Sequence, residues 1–183
     1  EVMEGDENVK VLGVELEADG SDIAVRTVKI KLEAGNDGST RINRYIESVD
    51  VVLDGKVVGS ADVEDFTKNG TEYTRSISLN SAIVKDQDTA RLYVVLNAVS
   101  NIDSADLDNT VTVTLVSTRY EDAEGVTSTD TTASIDSEVS FSDLSTSGDV
   151  TLTVSEAGSR DDDTVSVDAT SDTNEVDILN FSL

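Results

Sequence analysis

Val49-Asp50-Val51-Val52-Leu53-Asp54-Gly55-Lys56-Val57-Val58-Gly59 places alternating apolar residues on either side of an Asp-Gly pair. Asp-Gly tolerates the two positive φ angles of a type I′ turn, whose twist suits two antiparallel strands. The stretch therefore predicts a β-hairpin. Working outward, Val9–Leu16 and Ile23–Leu32 show the same alternation, with Ile23, Val25, Val28, Ile30 and Leu32 apolar. Thr71–Leu79, Arg91–Val99, Val111–Thr118, Ala133–Phe141, Val150–Val154 and Thr164–Asp168 continue it. Val, Ile, Thr and Tyr fit a pleated surface buried on one side. Asp19-Gly20-Ser21-Asp22, Asn36-Asp37-Gly38 and Lys85-Asp86-Gln87-Asp88 punctuate the runs as turns. The expected fold is an all-β, antiparallel Ig-like β-sandwich of about nine or ten strands. Helix is expected to be negligible, with at most a short turn within Ser60–Phe66.

Composition narrows the chemistry. The 183 residues carry 13 Lys plus Arg against 38 Asp plus Glu, a formal charge of −25. Such a chain repels phosphate, so nucleic acid is not an expected partner. No apolar run approaches the ~20 residues of a membrane-spanning helix, and membrane insertion is not expected. Cys and His are both absent, which excludes disulfides, thiolate zinc sites and every catalytic arrangement built on histidine. A pair of carboxylates could still hydrolyse a glycoside. With 38 carboxylates and no Trp, no pair stands out and the usual sugar platform is missing. The expectation is a protein without enzymatic activity. High acidity with few aromatics is also a warning of disorder, but the sustained alternation argues for a packed sheet.

The two ends of the chain read alike. Val9-Lys10-Val11-Leu12-Gly13-Val14-Glu15-Leu16 and Val176-Asp177-Ile178-Leu179-Asn180-Phe181-Ser182-Leu183 share the pattern V-x-[VI]-L-x-[VF]-x-L behind an acidic or polar lead. A repeat of about 167 residues would follow. The expected organisation is an acidic lead-in over 1–8, an Ig-like unit over 9–167, a linker over 168–175 and a terminal strand over 176–183. Two subdomains near 9–118 and 130–167 are the alternative division. Alternatively, Val176–Leu183 is the last strand of the same domain.

The opening strand is followed by Ala18-Asp19-Gly20-Ser21-Asp22-Ile23, leading to Ile30. Next come the hairpin Ile46–Ser60 and the strand, acidic loop and long strand of Ile77–Val99. Together these resemble the tandem Ig-like modules of prokaryotic surface-layer and cell-surface proteins. The resemblance covers most of Val9–Val116 and the final segment. It implies an extracellular or cell-surface scaffold, often calcium-dependent, with no catalytic residues. One departure is the loop Lys85–Asp88, which lacks the proline common in that family.

Oxygen-rich clusters are the remaining candidates for chemistry. Asp103, Asp106 and Asp108 share one loop with Asn101 and Asn109, and Asp161, Asp162 and Asp163 form another. Calcium takes six to eight oxygen ligands from such groups, although no EF-hand loop is present and a solvated acidic surface reads the same way. Asn69-Gly70-Thr71 and Asn180-Phe181-Ser182 fit the N-glycosylation sequon. Tyr73 and Tyr93 alternate with apolar residues and are expected in the core. Lys10, Lys29 and Lys31 fall on the polar phase of their strands, which disfavours a buried isopeptide crosslink.

Self-association is the expected partnership. The candidate assembly strands are Val9, Val11, Val14 and Leu16 at one end and Val176, Ile178, Phe181 and Leu183 at the other. The expected function is a structural subunit or repeat module of a surface layer or filament. An adhesin-like binding module and a virion decoration or tail domain are the alternatives. A domain of charge −25 repels itself, and cations relieve that by screening or ligation. Melting temperature should therefore rise with sodium chloride or calcium. A rise at low-millimolar calcium that matched ionic strength does not reproduce identifies a bound ion. No change with either cation would refute both forms of stabilisation.

Overall fold

The computed structural model describes residues 1–107, 109–131 and 134–142. The expected strands Val150–Val154, Thr164–Asp168 and Val176–Leu183, and the linker over 168–175, lie outside the described residues. The described chain forms β1 (Val2–Met3), β2 (Val9–Glu17), β3 (Ile23–Ala34), β4 (Ile46–Leu53), β5 (Lys56–Asp62) and β6 (Thr67–Asn69). It continues with β7 (Glu72–Ser78), β8 (Ile83–Val84), β9 (Thr89–Ala98), β10 (Thr110–Asp122), β11 (Thr127–Asp130) and β12 (Ile135–Ser142). There is no α-helix among the described residues; two 3-10 turns occupy Ile42–Arg44 and Val63–Asp65.

The strands make two sheets in a sandwich-like arrangement. The larger has eight strands, ordered β1-β12-β10-β3-β7-β6, with β11 beside β10 and β8 beside β3. The smaller has four, ordered β2-β9-β4-β5. One pairing, β1 with β12, is parallel, so the larger sheet is mixed and the expectation of a wholly antiparallel fold is corrected. The pairing arises because Val2, fully buried, enters the core beside Phe141 of β12. The chain crosses between sheets repeatedly: β3 is large-sheet, β4–β5 small, β6–β7 large, β9 small and β10 large. One continuous apolar core results, holding Val28, Ile30 and Leu32 from β3 together with Val49, Val51, Leu92, Val94 and Leu96 from the smaller sheet.

The Asp54-Gly55 hairpin forms as its residues dictate, with φ of 48° and 83° at the two turn positions and β4 antiparallel to β5. Breaks in the apolar alternation become β-bulges. In β2 the register shifts between Lys10 and Leu12. The extra residue, Val11, lets Val9, Leu12, Val14 and Leu16 all turn toward the core. The same device separates Val25 from Val28 in β3, where the ladder to β10 shifts between Arg119 and Tyr120.

Tyr73 is buried in the core as its alternation suggests, but Tyr93 is not. Tyr93 lies on the outer face of the smaller sheet, opposite Gly13. A Cβ at Gly13 would come within 2.9 Å of the ring, so the missing side chain gives the ring its seat. Lys10 Nζ covers it at 4.5 Å, a cation–π contact. Beside it, Val52 and Val95 are buried outside the main core.

If Val11 is a bulge, deleting it preserves the inward face of β2, whereas deleting Gly13 reverses the residues on one side of it. The Val11 deletion should unfold cooperatively with a modest fall in melting temperature. The Gly13 deletion should lose several kcal/mol, at roughly 1.5–3 kcal/mol per apolar side chain exposed. Equal losses in the two variants, read by chemical denaturation, would refute the bulge assignment.

Candidate functional site

Two features lie at opposite ends of β3, β10 and β12. At one end, a polar clamp gathers the loop before β10 and the loop after β3. The segment 103–106 turns on itself, with the Asp106 N–H donating to the Asp103 carbonyl at 2.7 Å and the Ala105 N–H to Asp103 Oδ1 at 3.0 Å. That turn directs the Asp106 carboxylate inward, where it is 5% exposed. Its Oδ1 accepts the Ser39 N–H at 2.8 Å and its Oδ2 accepts Arg44 Nη1 at 2.8 Å. The guanidinium itself is half exposed. Its pKa is raised further, first by the hydrogen bond to Asp106 and then by that carboxylate's charge.

Beneath this pair, the Tyr45 hydroxyl donates to the Ser39 carbonyl at 3.1 Å and accepts from Asn109 Nδ2 at 2.8 Å. Asn109 Nδ2 also donates to Ser39 O at 3.2 Å. The Tyr45 ring packs against Phe141 with centroids 5.3 Å apart. Gly38 makes the approach possible, since a Cβ there would fall 2.7 Å from the Tyr45 hydroxyl. Asn109 Oδ1 is buried without a hydrogen-bond donor among the described residues. A Cβ added at Gly35 would sit 2.9 Å from it, so the glycine leaves the room this oxygen occupies.

The clamp spends its polar groups on one another. Asp103 and Asp106 share their loop as the sequence implies, but the Asp103 carboxylate holds the local Ala105 N–H, and that of Asp106 holds the Ser39 N–H and Arg44. Asp108, Asp161, Asp162 and Asp163 lie outside the described residues. Among the described residues no three Asp or Glu side chains converge as a ligand set for a metal ion. In the acidic stretch 1–8, Glu4 Oε2 accepts the Ile102 N–H at 3.0 Å and Asp6 Oδ2 accepts the Met3 N–H at 2.9 Å. Of the sequon residues, Asn69 is exposed at the β6–β7 turn, and Asn180 lies outside the described residues.

At the other end is a groove of about 430 Å³. Val14 and Leu16 of β2, Ile23 of β3, Leu115 and Tyr120 of β10, and Ile135 of β12 line it together with Glu15, Glu17, Thr118, Thr129 and Asp130. Ile135 shares the inward phase of Val139 and Phe141, yet it is 39% exposed because the smaller sheet does not cover it. Of the candidate assembly strands, Val9, Val11, Val14 and Leu16 stand in β2. One edge of β2 is spent on β9, and the other pairs with no strand among the described residues. Val176, Ile178, Phe181 and Leu183 lie outside the described residues.

The sequence reading missed Arg44, Ser39 and Tyr45 as clamp partners, and Leu115 and Ile135 as groove residues. Nothing in their local spacing marks them, because each acquires its role from a segment distant in sequence. No family model, curated protein or solved structure matches the chain.

Removing the Asn109 amide strips a donor from both Tyr45 and Ser39. Asn109→Ala should cost about 1–3 kcal/mol, read by denaturant unfolding, and an unchanged midpoint would refute the clamp. Tyr45 carries a pH signature. Burial, ahead of all other causes, holds its phenol above the ordinary 10.0. A raised folded pKa gives stability that is complete below the unfolded value and is lost as pH rises through the folded one. Unfolding should therefore become easier above about pH 10, and Tyr45→Phe should reduce that alkaline loss.

Proposed function

We propose that this chain is a non-enzymatic structural subunit or repeat module of an extracellular assembly, a surface layer or filament. The observation that carries the reading is how the described polar groups are used. Asp106, Asn109 and Tyr45 are buried; Asn109 bonds Tyr45, Asp106 bonds Arg44, and all three bond the Ser39 backbone, so they fasten loops to the sheet ends rather than converging on a cleft. The edge of β2 that pairs with no strand among the described residues supports the same reading, since an unpaired edge is a template for further strand pairing.

We read the two-sheet body as Ig-like. The support is β10 between β12 and β3, with β9 between β2 and β4. The small-sheet hairpin β4–β5 fits the same reading, because it comes between β3 and its partner β7 as strand C and its added neighbour come between the paired strands B and E. In variable-type Ig domains the strand added beside the third strand follows it directly in the chain. The acidic surface fits a protein that works among cations: few positive groups answer the carboxylates, and apart from Arg44 with buried Asp106 those that do pair at the surface, as Lys85 does with Asp22 at 2.6 Å. Surface pairs of this kind contribute little to stability, so solvent ions must do the screening.

Electron microscopy and sedimentation of the full chain test the proposal across sodium chloride and calcium concentrations. Ordered filaments or sheets are the expected outcome. A monodisperse monomer under every condition would overturn it.

A further inference from the structure

We propose that the edge of β2 that pairs with no strand among the described residues, with the groove beneath it, receives residues Val176–Leu183 of a second copy of this chain as an added antiparallel strand. The inference rests on the structural-subunit reading and specifies how its copies join.

The acceptor is defined by what the smaller sheet leaves uncovered. Among the described residues β2 ends that sheet, yet the inward-facing Val14 and Leu16 are only partly buried. Below them Leu115 and Ile135 of the larger sheet form a floor. A strand laid along β2 would extend the sheet over this floor and pair with the backbone groups of that edge. The groove's 430 Å³ is room for large apolar side chains entering from one face of such a strand.

The occupant is chosen by its pattern. In β2 the spacing V-x-V-L-x-V-x-L encodes a bulge at the third position that turns the residues at the fourth, sixth and eighth to one face. Val176–Leu183 repeats that spacing as V-x-I-L-x-F-x-L. Paired as proposed, it would present Leu179, Phe181 and Leu183 together. Charge selects the register. Ile178-Leu179-Asn180-Phe181-Ser182-Leu183 is free of charged side chains in a chain of −25, while the solvent face of β2 carries Glu15 and Glu17. Antiparallel pairing of Phe181 with Leu16 sets Leu183 against Val14. The same register sets Ser182 against Glu15 and Asn180 against Glu17. A hydroxyl and an amide then donate to two carboxylates, and no like charges meet. The contact is head-to-tail, so it propagates as an open filament rather than closing as a dimer.

The absence of cysteine makes the test direct. Full-length E15C and S182C chains are mixed under mild oxidation. Disulfide-linked heterodimer should exceed, several-fold, that from S182C mixed with K56C, whose thiol sits in the distant β4–β5 turn. Equal yields overturn the inference, as does a chain carrying both E15C and S182C that closes its disulfide within the monomer. F181D in the full chain should abolish assembly while leaving circular dichroism and melting temperature unchanged. Assembly by F181D at the level of the unsubstituted chain overturns this mode of joining and leaves the structural reading standing. Absence of assembly by the unsubstituted chain overturns both.

Discussion

The ladder between β3 and β10 is the interaction on which the rest of the structure depends. It runs from Val111 opposite Ala34 to Asp122 opposite Ile23, the long axis of the larger sheet. Every other large-sheet strand except β1 and β6 pairs directly with one of these two. β10 carries β12 and β11 on its other edge, and β3 carries β7 and β8. Val28, Ile30, Leu32, Val111 and Val113, all at most marginally exposed, supply the floor on which the smaller sheet packs. The clamp and the groove lie at the two ends of this ladder.

Its length creates a difficulty that bulges resolve. A long, regular ribbon keeps its side chains in strict alternation, whereas a twisted sheet closing over a second sheet needs local bends. The shifts at Leu115/Ser117 and Arg119/Tyr120 provide them. The second coincides with a visible irregularity in the sequence, the three-residue step from Val25 to Val28, while the first leaves Val116 of β10 as its extra residue. The step from Ile46 to Val49 in β4 marks another shift, and Val9, Val11 and Leu12 in β2 a third. These irregular steps therefore mark where the backbone bends, and side chains on both sides of each break remain in the core.

Electrostatics divides along the same line between surface and interior. Lys31 reaches Glu72 at 3.0 Å and Glu33 at 3.3 Å, and its pKa rises chiefly through the hydrogen bond to Glu72. The Asp22 carboxyl is lowered first by its hydrogen bond to Lys85 and then by the Asp86 N–H. These are solvent-facing adjustments within a large negative excess. The clamp is different because Asp106 is withdrawn from water, and there geometry matters more than number: one half-exposed guanidinium and one backbone N–H hold it in place.

The sequence by itself determined the fold class, most strands and the solvent-facing phase of Lys10, Lys29 and Lys31. Those features depend on alternation and turn chemistry within a few residues. The Asp54-Gly55 turn is the clearest case, since its positive φ angles follow from the two residues themselves. Only the tertiary structure decided that Tyr93 faces outward over Gly13, that Val2 enters parallel to β12, and that Ser39, Arg44, Tyr45, Asp106 and Asn109 form one network. It also left Ile135 uncovered at the mouth of the groove. Short strands such as β1, β8 and β11 carry too few residues to show a period, and their pairing comes from neighbours far along the chain. A residue's own alternation states that it has a buried side, but which segment buries it is settled only when the two sheets meet.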